Sequence, residues 1–152
     1  MKNSTQISGT TVAVGIDPDG PLVGALLLGA PGTGKSSLAL GIIAACRWNR
    51  SCLISDDRVD LRVEGGALIA SGPDAIKGLI EVRGFGPAPI KSATSVRLTA
   101  VFDLDRPTSR VPNIAQFEAL GATLPMWPFL PSPGSESRIP IILRTILAGQ
   151  TP

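Results

Sequence analysis

The chain has 152 residues, 43% of them apolar, with a formal net charge of +2 and no histidine. These figures fit one domain with a hydrophobic core, and the small charge argues for neither a nucleic-acid nor a membrane partner. The lack of histidine excludes a histidine general base, a histidine metal ligand and a Ser-His-Asp triad. No apolar stretch is long enough to cross a membrane and no hydrophobic signal core opens the chain, so we expect a cytoplasmic protein.

The first third of the chain predicts strands around one helix. Apolar runs predict strands over 10–14 and 22–28, separated by a Pro- and Gly-rich turn at 17–21. An amphipathic helix is expected from Ser37 to about Arg47. The short apolar run 52–55 predicts a buried strand.

The middle of the chain predicts a hairpin, a short helix and a long strand. Strands over 59–63 and 67–71 flank Glu64-Gly-Gly66, which is typical of a β-hairpin. Pro73 is well placed to open a short helix containing Ile76 and Leu79. A proline-rich loop is expected at 81–89, followed by an alternating, half-buried strand over 96–104.

The last third is rich in proline. Four prolines within 124–134 exclude a regular helix there. Trp127 and Phe129 lie in this segment, either as a cover on the core or as a contact with a partner or second subunit. A final helix is expected over 139–147, with Gly149 as its stop.

Two cysteines, Cys46 and Cys52, are too few for a disulfide framework. Their spacing is also not that of a metal site. Both lie in apolar segments, so we expect buried thiols.

One motif governs the functional interpretation. Gly29-Ala-Pro-Gly-Thr-Gly-Lys-Ser36 fits the phosphate-binding loop G-x-x-x-x-G-K-[ST], between a predicted strand and a predicted helix. Its glycines allow backbone amides to converge on phosphate oxygens, and the following helix adds a partial positive charge. The candidate nucleotide-binding residues are Gly29, Ala30, Pro31, Gly32, Thr33, Gly34, Lys35, Ser36 and Ser37.

Acidic residues stand where such a loop needs them. Asp56 and Asp57 follow the predicted strand 52–55, which is where an acid that orients Mg²⁺ is expected. A second acid is then available for proton transfer from an attacking hydroxyl. Glu81 is a weaker candidate for the metal shell, and Arg83 for a phosphate contact.

These segments together resemble HPr kinase/phosphorylase. The resemblance is carried by the phosphate loop with Ser37-Leu-Ala-Leu40, by Leu53-Ile-Ser-Asp-Asp-Arg-Val59 and by Glu81-Val-Arg-Gly-Phe-Gly86, in that order. It covers the chain from about Gly9 to Gly149 and is closest to the short form that has only the catalytic domain. It implies an α/β fold, a P-loop kinase domain of the HPr kinase/PEP carboxykinase-like type that occupies residues 1–152 as a single domain.

The resemblance also implies an activity and roles for individual residues. The activity is transfer of phosphate from ATP, with Mg²⁺, to a serine of the phosphocarrier HPr, by a homo-oligomer that is commonly a hexamer. Lys35 is implied as the phosphate contact, and Ser36 and Glu81 as metal ligands. Asp57 is implied as proton acceptor, supported by Asp56. The implied catalytic arginine is Arg110.

The sequence departs from the family in ways that leave other functions open. The family usually has a histidine near Gly9, where this chain has none, and no lysine or arginine occurs between Arg110 and Arg138. These departures argue against the reverse, phosphorylase reaction and also predict a weaker kinase reaction. The alternatives are a small-molecule kinase or other P-loop NTPase, which should carry a cluster of arginines, and a nucleotide-binding regulatory protein with weakened catalysis.

Overall fold

A computed structural model describes residues 3–74, 77–106 and 114–149 of the chain. Strands dominate it, and two helices pack on the sheet. In chain order the elements are β1 (Ser4–Ser8), β2 (Thr10–Val14), β3 (Val23–Leu28), α1 (Lys35–Ala44), β4 (Cys52–Ser55), β5 (Arg58–Glu64), β6 (Ala67–Ser71), β7 (Leu79–Val82), β8 (Gly86–Pro89), β9 (Ser95–Asp103), β10 (Ala115–Ala119), β11 (Ala122–Pro128) and α2 (Arg138–Leu147), with a 3₁₀ helix at Ser135–Ser137. No helix in these ranges is long and apolar enough to span a membrane.

Nine of the described strands form one mixed sheet. The main path runs β1-β5-β6-β9-β3-β2-β4, and the β10–β11 hairpin joins it where β11 pairs parallel with β9. β3 is parallel to β9, whereas β2 is antiparallel to β3 and β4. β7 and β8 form a separate two-stranded hairpin. This combination of a mixed sheet with packed helices confirms the predicted α/β class.

The strand that leads into the phosphate loop is covered on both faces. Ala25 and Leu27 pack with α1 and α2 in one apolar core, whereas Leu26 packs in a second core with residues of β5 and β6. Because both faces are buried, β3 is apolar along its whole length instead of alternating. The predicted strand at 22–28 is therefore confirmed, and it lies at the centre of the sheet.

The long strand β9 contains a bulge that its sequence pattern hides. Leu98 pairs with Gly24, but Ala100 pairs with the next residue, Ala25, so β9 holds one extra residue there. An inserted residue shifts the following side chains to the opposite face. Leu98 therefore packs in one core and Phe102 in the other. The prediction of a single half-buried face over 96–104 is wrong for this reason.

Two predictions in the middle of the chain are also wrong. Leu79 does not belong to a helix opened by Pro73 but begins β7, whereas Ile76, the other residue expected in that helix, lies outside the described residues. The expected proline-rich loop at 81–89 is largely a hairpin, in which Glu81 pairs with Pro87 and Leu79 with Pro89. Proline is tolerated in a strand whose outer edge needs no amide donor, and this two-stranded hairpin has such edges.

Helix α1 begins at Lys35 and ends at Ala44, before the predicted end near Arg47. It is apolar nearly all the way round, because Leu40 and Ile43 lie outside its fully buried face yet still pack against the core. The expected amphipathic pattern is therefore wrong. The predicted C-terminal helix is confirmed as α2, and Gly149 follows it with a positive φ of 76°.

The aromatic residues of the proline-rich segment pack on the core. Trp127 stacks on Phe102 with ring centroids 6.4 Å apart, and Phe129 meets the same ring edge-on at 5.7 Å. Both contacts agree with a cover on the core. The segment also includes β11, so it is a strand as far as Pro128.

Both cysteines are free thiols, but only Cys52 is buried. Burial raises the pKa of the Cys52 thiol, and the nearby Lys91 only partly opposes this. Cys46 is half-buried at the end of α1. Burial pushes its pKa upward, but hydrogen bonds from Ser51 and from backbone amides outweigh that effect and lower the pKa to about 7.

Candidate active site

The phosphate-loop motif lies between the end of β3 and the start of α1, as its sequence predicts. Gly32 and Gly34 have φ values of 87° and 99°, which residues other than glycine rarely adopt. Lys35 is the first residue of α1, and no side chain caps the helix start. The loop therefore delivers the chain directly to an uncapped helix N-terminus.

Internal hydrogen bonds hold the loop while leaving amides available. The Lys35 Nζ donates to the carbonyl oxygens of Gly29 and Ala30 at 2.5 and 3.1 Å, and Thr33 Oγ1 donates to Ala30 O at 2.8 Å. Within the described ranges, the amides of Lys35 and Ser36 have no hydrogen-bond acceptor. Unpaired amides at a helix N-terminus, beside a lysine, are suited to bind phosphate oxygens.

Asp105, which lies outside the motif, holds the beginning of the phosphate loop at Ala30. The carboxylate of Asp105 accepts a hydrogen bond from the Ala30 amide, with Oδ2 at 3.0 Å and Oδ1 at 3.2 Å. Asp105 follows β9, the parallel neighbour of β3, so the sheet brings the two segments together. No local sequence pattern marks Asp105 as part of the site, because its contact joins residues 75 positions apart.

Asp56 is the most connected side chain of the site. Its Oδ1 accepts hydrogen bonds from Ser36 Oγ at 2.7 Å and from Thr10 Oγ1 at 3.0 Å. Its Oδ2 accepts one from the backbone amide of Glu81 at 2.9 Å. Asp56 is 7% exposed, and these donors come from α1, β2 and β7. A buried carboxylate that accepts three hydrogen bonds is held in one orientation.

Asp57 differs from its neighbour in exposure and backbone conformation. Its side chain is exposed, and its φ of 72° is unusual for a residue with a Cβ. Its carbonyl accepts a hydrogen bond from the Gly9 amide at 3.0 Å, and its amide donates to Thr10 Oγ1 at 3.4 Å. The turn between β4 and β5 is thereby tied to the start of β2.

One cavity of about 680 Å³ lies among the loop, the two aspartates and the β7–β8 hairpin. Its lining includes most of the predicted site: Pro31, Gly32, Gly34, Lys35, Ser36, Ser37, Asp56, Asp57, Glu81 and Arg83. Gly29, Ala30 and Thr33 do not line it, although their hydrogen bonds shape the loop. The predicted residues that the motif and the two later segments supplied thus meet at one place.

Two residues stand apart from this agreement. Arg110, the expected catalytic arginine, lies outside the described residues. Thr10 lines the cavity and contacts Asp56, although its sequence context predicts only a strand residue. The one feature of the sequence that could have indicated a role for Thr10 is a polar side chain at the start of an apolar strand. No motif connects that strand to the phosphate loop.

The oxygen-rich donor set suits a hard cation. Magnesium is commonly bound by one or two carboxylates together with substrate phosphates and water, so a dense acidic cluster is not required. Within the described ranges no three acidic, cysteine or histidine side chains form a metal cluster. The Ser36 hydroxyl and Asp56 carboxylate are 2.7 Å apart, and Glu81 lines the same cavity. These residues therefore fit magnesium bound together with phosphates.

Comparison with known proteins points to one family. The family model for the HPr Serine kinase C-terminal domain matches residues 2–141. An HPr kinase/phosphorylase of Clostridium botulinum (strain Eklund 17B) is 47% identical over 64 residues, which are 42% of this chain and 20% of that protein. The HPr kinase/phosphorylase of Brevibacillus brevis is 30% identical over 112 residues, 67% of this chain and 35% of that protein.

The fold agrees with a solved structure over nearly its full length. The Hpr(Ser) kinase/phosphatase from Coxiella burnetii matches with a TM-score of 0.78 and 20% identity, covering 95% of this chain and 97% of that one. At this identity the likeness establishes the fold. The chain spans about a fifth to a third of the two HPr kinase/phosphorylase sequences above. The match of the family model across most of the chain shows that it belongs to the HPr serine kinase C-terminal domain family.

Proposed function

We propose that this protein is an ATP- and Mg²⁺-dependent kinase that phosphorylates a serine of an HPr-type phosphocarrier. Family membership supports the reaction class. The observation that carries the proposal is the convergence of Lys35, Ser36, Asp56 and Asp57 on one cavity, with Ser36 and Asp56 hydrogen-bonded at 2.7 Å. These residues come from two separate motifs, so their meeting is not a consequence of sequence proximity.

The phosphate loop would bind the triphosphate. The amides of Lys35 and Ser36, which have no acceptor among the described residues, supply hydrogen-bond donors, and the N-terminus of α1 adds partial positive charge. The Lys35 ammonium donates hydrogen bonds to the loop carbonyls of Gly29 and Ala30, and Lys35 lines the cavity in which the phosphates would lie. Its charge would stabilise negative charge that develops during transfer.

Ser36, Asp56 and Glu81 are the residues that we propose to hold Mg²⁺. Bound with the nucleotide, Mg²⁺ supplies charge neutralisation between the phosphates. Ser36 and Asp56 are prepared for this role by their mutual hydrogen bond. The Glu81 carboxylate is exposed at the same cavity and makes no ion pair with another described residue.

Asp57 is the proposed acceptor of the substrate hydroxyl proton. Its side chain is exposed, so an incoming serine can approach it, and the buried Asp56 next to it keeps the turn in place. General-base assistance requires contact with the proton that is removed. Arg83 lines the cavity and is available for a phosphate contact, whereas the role of Arg110 stays a prediction.

The protein partner and assembly extend this proposal. The relatives are named HPr kinase/phosphorylase, which supports an HPr-type substrate. We further propose a homo-oligomer acting in the cytoplasm, where ATP and Mg²⁺ are supplied. The proposal covers the forward, kinase reaction alone, since the chain has no histidine at the place near Gly9 where the family resemblance implies one.

Incubation with γ-labelled ATP, Mg²⁺ and an HPr-type phosphocarrier tests the proposal. We expect label on one serine of the phosphocarrier, identified by mass spectrometry, and no transfer when Mg²⁺ is chelated. Label on small metabolites with none on the phosphocarrier would instead indicate a small-molecule kinase. ATP binding without transfer to any acceptor would indicate a regulatory protein.

A further inference from the structure

The hydroxyl of Thr10 joins the two aspartates of the site. Thr10 is the first residue of β2 and is 0% exposed. Its Oγ1 is 3.0 Å from Asp56 Oδ1 and 3.4 Å from the backbone amide nitrogen of Asp57. It also lines the cavity that the phosphate loop and these aspartates share. A single buried oxygen therefore contacts both residues.

The direction of these hydrogen bonds follows from the chemistry of the groups. A backbone amide can only donate, so the Asp57 amide donates to Thr10 Oγ1. The threonine has one hydroxyl proton, and that proton is then directed to Asp56 Oδ1. Asp56 therefore receives hydroxyl protons from both Thr10 and Ser36 on the same oxygen. Loss of the Thr10 hydroxyl would free the Asp57 amide and one side of the Asp56 carboxylate together.

We propose that Thr10 is a positioning residue, which sets the orientation of the Asp56 carboxylate and holds the Asp57 turn for phosphoryl transfer. This inference rests on the proposed function of the site. Thr10 acts through Asp56 and Asp57 and does not itself contact the reacting atoms. Asp57 has an unusual φ of 72°, and such a conformation persists only where surrounding contacts hold it. The hydrogen bond from the Asp57 amide to Thr10 is one such contact.

The adjacent residue offers a matched control. Thr11 is also a 0% exposed threonine of β2, but its Oγ1 has no hydrogen-bond partner within the described part of the chain. Successive side chains of a strand lie on opposite faces, so Thr11 faces away from the Thr10 contacts. Replacement of either threonine with valine removes one buried hydroxyl and keeps nearly the same shape.

The first test compares Thr10→Val, Thr11→Val and Thr10→Ser in the phosphotransfer assay. We expect kcat to fall about tenfold or more in Thr10→Val, with KM for ATP within about twofold, since loop contacts are kept. Thr10→Ser keeps a hydroxyl and should retain kcat within about threefold, whereas Thr11→Val should match the unmodified protein. Equal kcat values for the Thr10→Val and Thr11→Val proteins would overturn the proposal.

The second test uses amide hydrogen exchange of the unmodified protein and needs neither activity nor a folded variant. Asp57 is exposed, yet its amide should exchange at least about fivefold more slowly than a free amide, because Thr10 Oγ1 accepts its hydrogen bond. Exchange at the free rate would contradict the proposal. If the unmodified protein transfers no phosphate to HPr, the proposed function fails, while this measurement still decides the contact of Thr10.

Discussion

The two sides of the cavity are held in place in different ways. The first, which we call the loop side, consists of 31–37 with Asp56 and Asp57. Three hydrogen bonds meet at the Asp56 carboxylate: one from Ser36 within the loop side, one from Thr10 of the central sheet, and one from the Glu81 amide of β7. The second, the hairpin side, is β7–β8. It carries Glu81 and Arg83 as exposed side chains and ends in Phe85, which is 78% exposed.

This difference in anchoring suggests different functions for the two sides. The loop side is fixed before any substrate arrives, which suits groups that must stabilise charge at defined positions. The hairpin side is attached by the buried side chain of Ile80 and by the hydrogen bond from the Glu81 amide to Asp56. Asp56, on the loop side, therefore connects the hairpin side to the phosphate loop.

The largest expected effect comes from the loop side. Lys35→Ala should lower kcat for phosphotransfer by about 10²–10³-fold or more, because the charge that we propose to stabilise the transition state is lost. The measurement is labelled-phosphate transfer to the phosphocarrier. Lys77→Ala removes an exposed lysine that does not line the cavity, and it should leave the rate unchanged. An unchanged kcat in the Lys35 variant would show that Lys35 has no part in phosphotransfer.

Asp57→Asn tests the second group on this side. We expect kcat to fall by about 10²-fold while the affinity for ATP is kept, because the variant loses only the proposed proton acceptor. Asparagine tolerates the positive φ of this position, so the backbone should stay in place. Binding of ATP and transfer are measured separately, with Asp60→Asn in β5 as the control. Equal loss of binding and transfer would assign Asp57 a structural role.

Two substitutions examine the attachment of the hairpin side. Ile80 is 1% exposed and packs in the core beneath α1, so Ile80→Ala should lower the free energy of unfolding by about 2–5 kcal/mol. Phe85→Ala at the exposed tip should change it by less than about 0.5 kcal/mol. Denaturant unfolding measures both. Similar values for the two variants would show that the hairpin is not anchored through Ile80.

The smallest expected effect concerns the beginning of the phosphate loop, at Ala30. Asp105→Ala removes the acceptor of the Ala30 amide and should weaken ATP binding about fivefold. The hydrogen bond is exposed, which limits its contribution. Calorimetric titration with ATP measures the change, and Asp19→Ala in the turn before β3 is the control. An unchanged affinity would mean that the loop keeps its shape without Asp105.

The same contrast explains what could be predicted from the sequence. The phosphate loop and the Asp56-Asp57 pair were predictable, because local spacing after apolar strands determines where they lie. The hairpin side was not, since Pro87 and Pro89 suggested a loop and only pairing with Leu79–Val82 makes them a strand. The bulge in β9, the Ala30–Asp105 contact and the Thr10–Asp56 contact all join distant segments. No local pattern in a single sequence records such contacts.

The proposed function requires that the cavity bind a nucleoside triphosphate between the phosphate loop and the pair Asp56 and Asp57. A crystal structure with a non-hydrolysable ATP analogue and Mg²⁺ tests it most directly. We expect the β- and γ-phosphates to contact the amides of Lys35 and Ser36, with the cation beside Ser36 and Asp56. A triphosphate bound elsewhere, or a cation with neither Ser36 nor Asp56 in its surroundings, would contradict it.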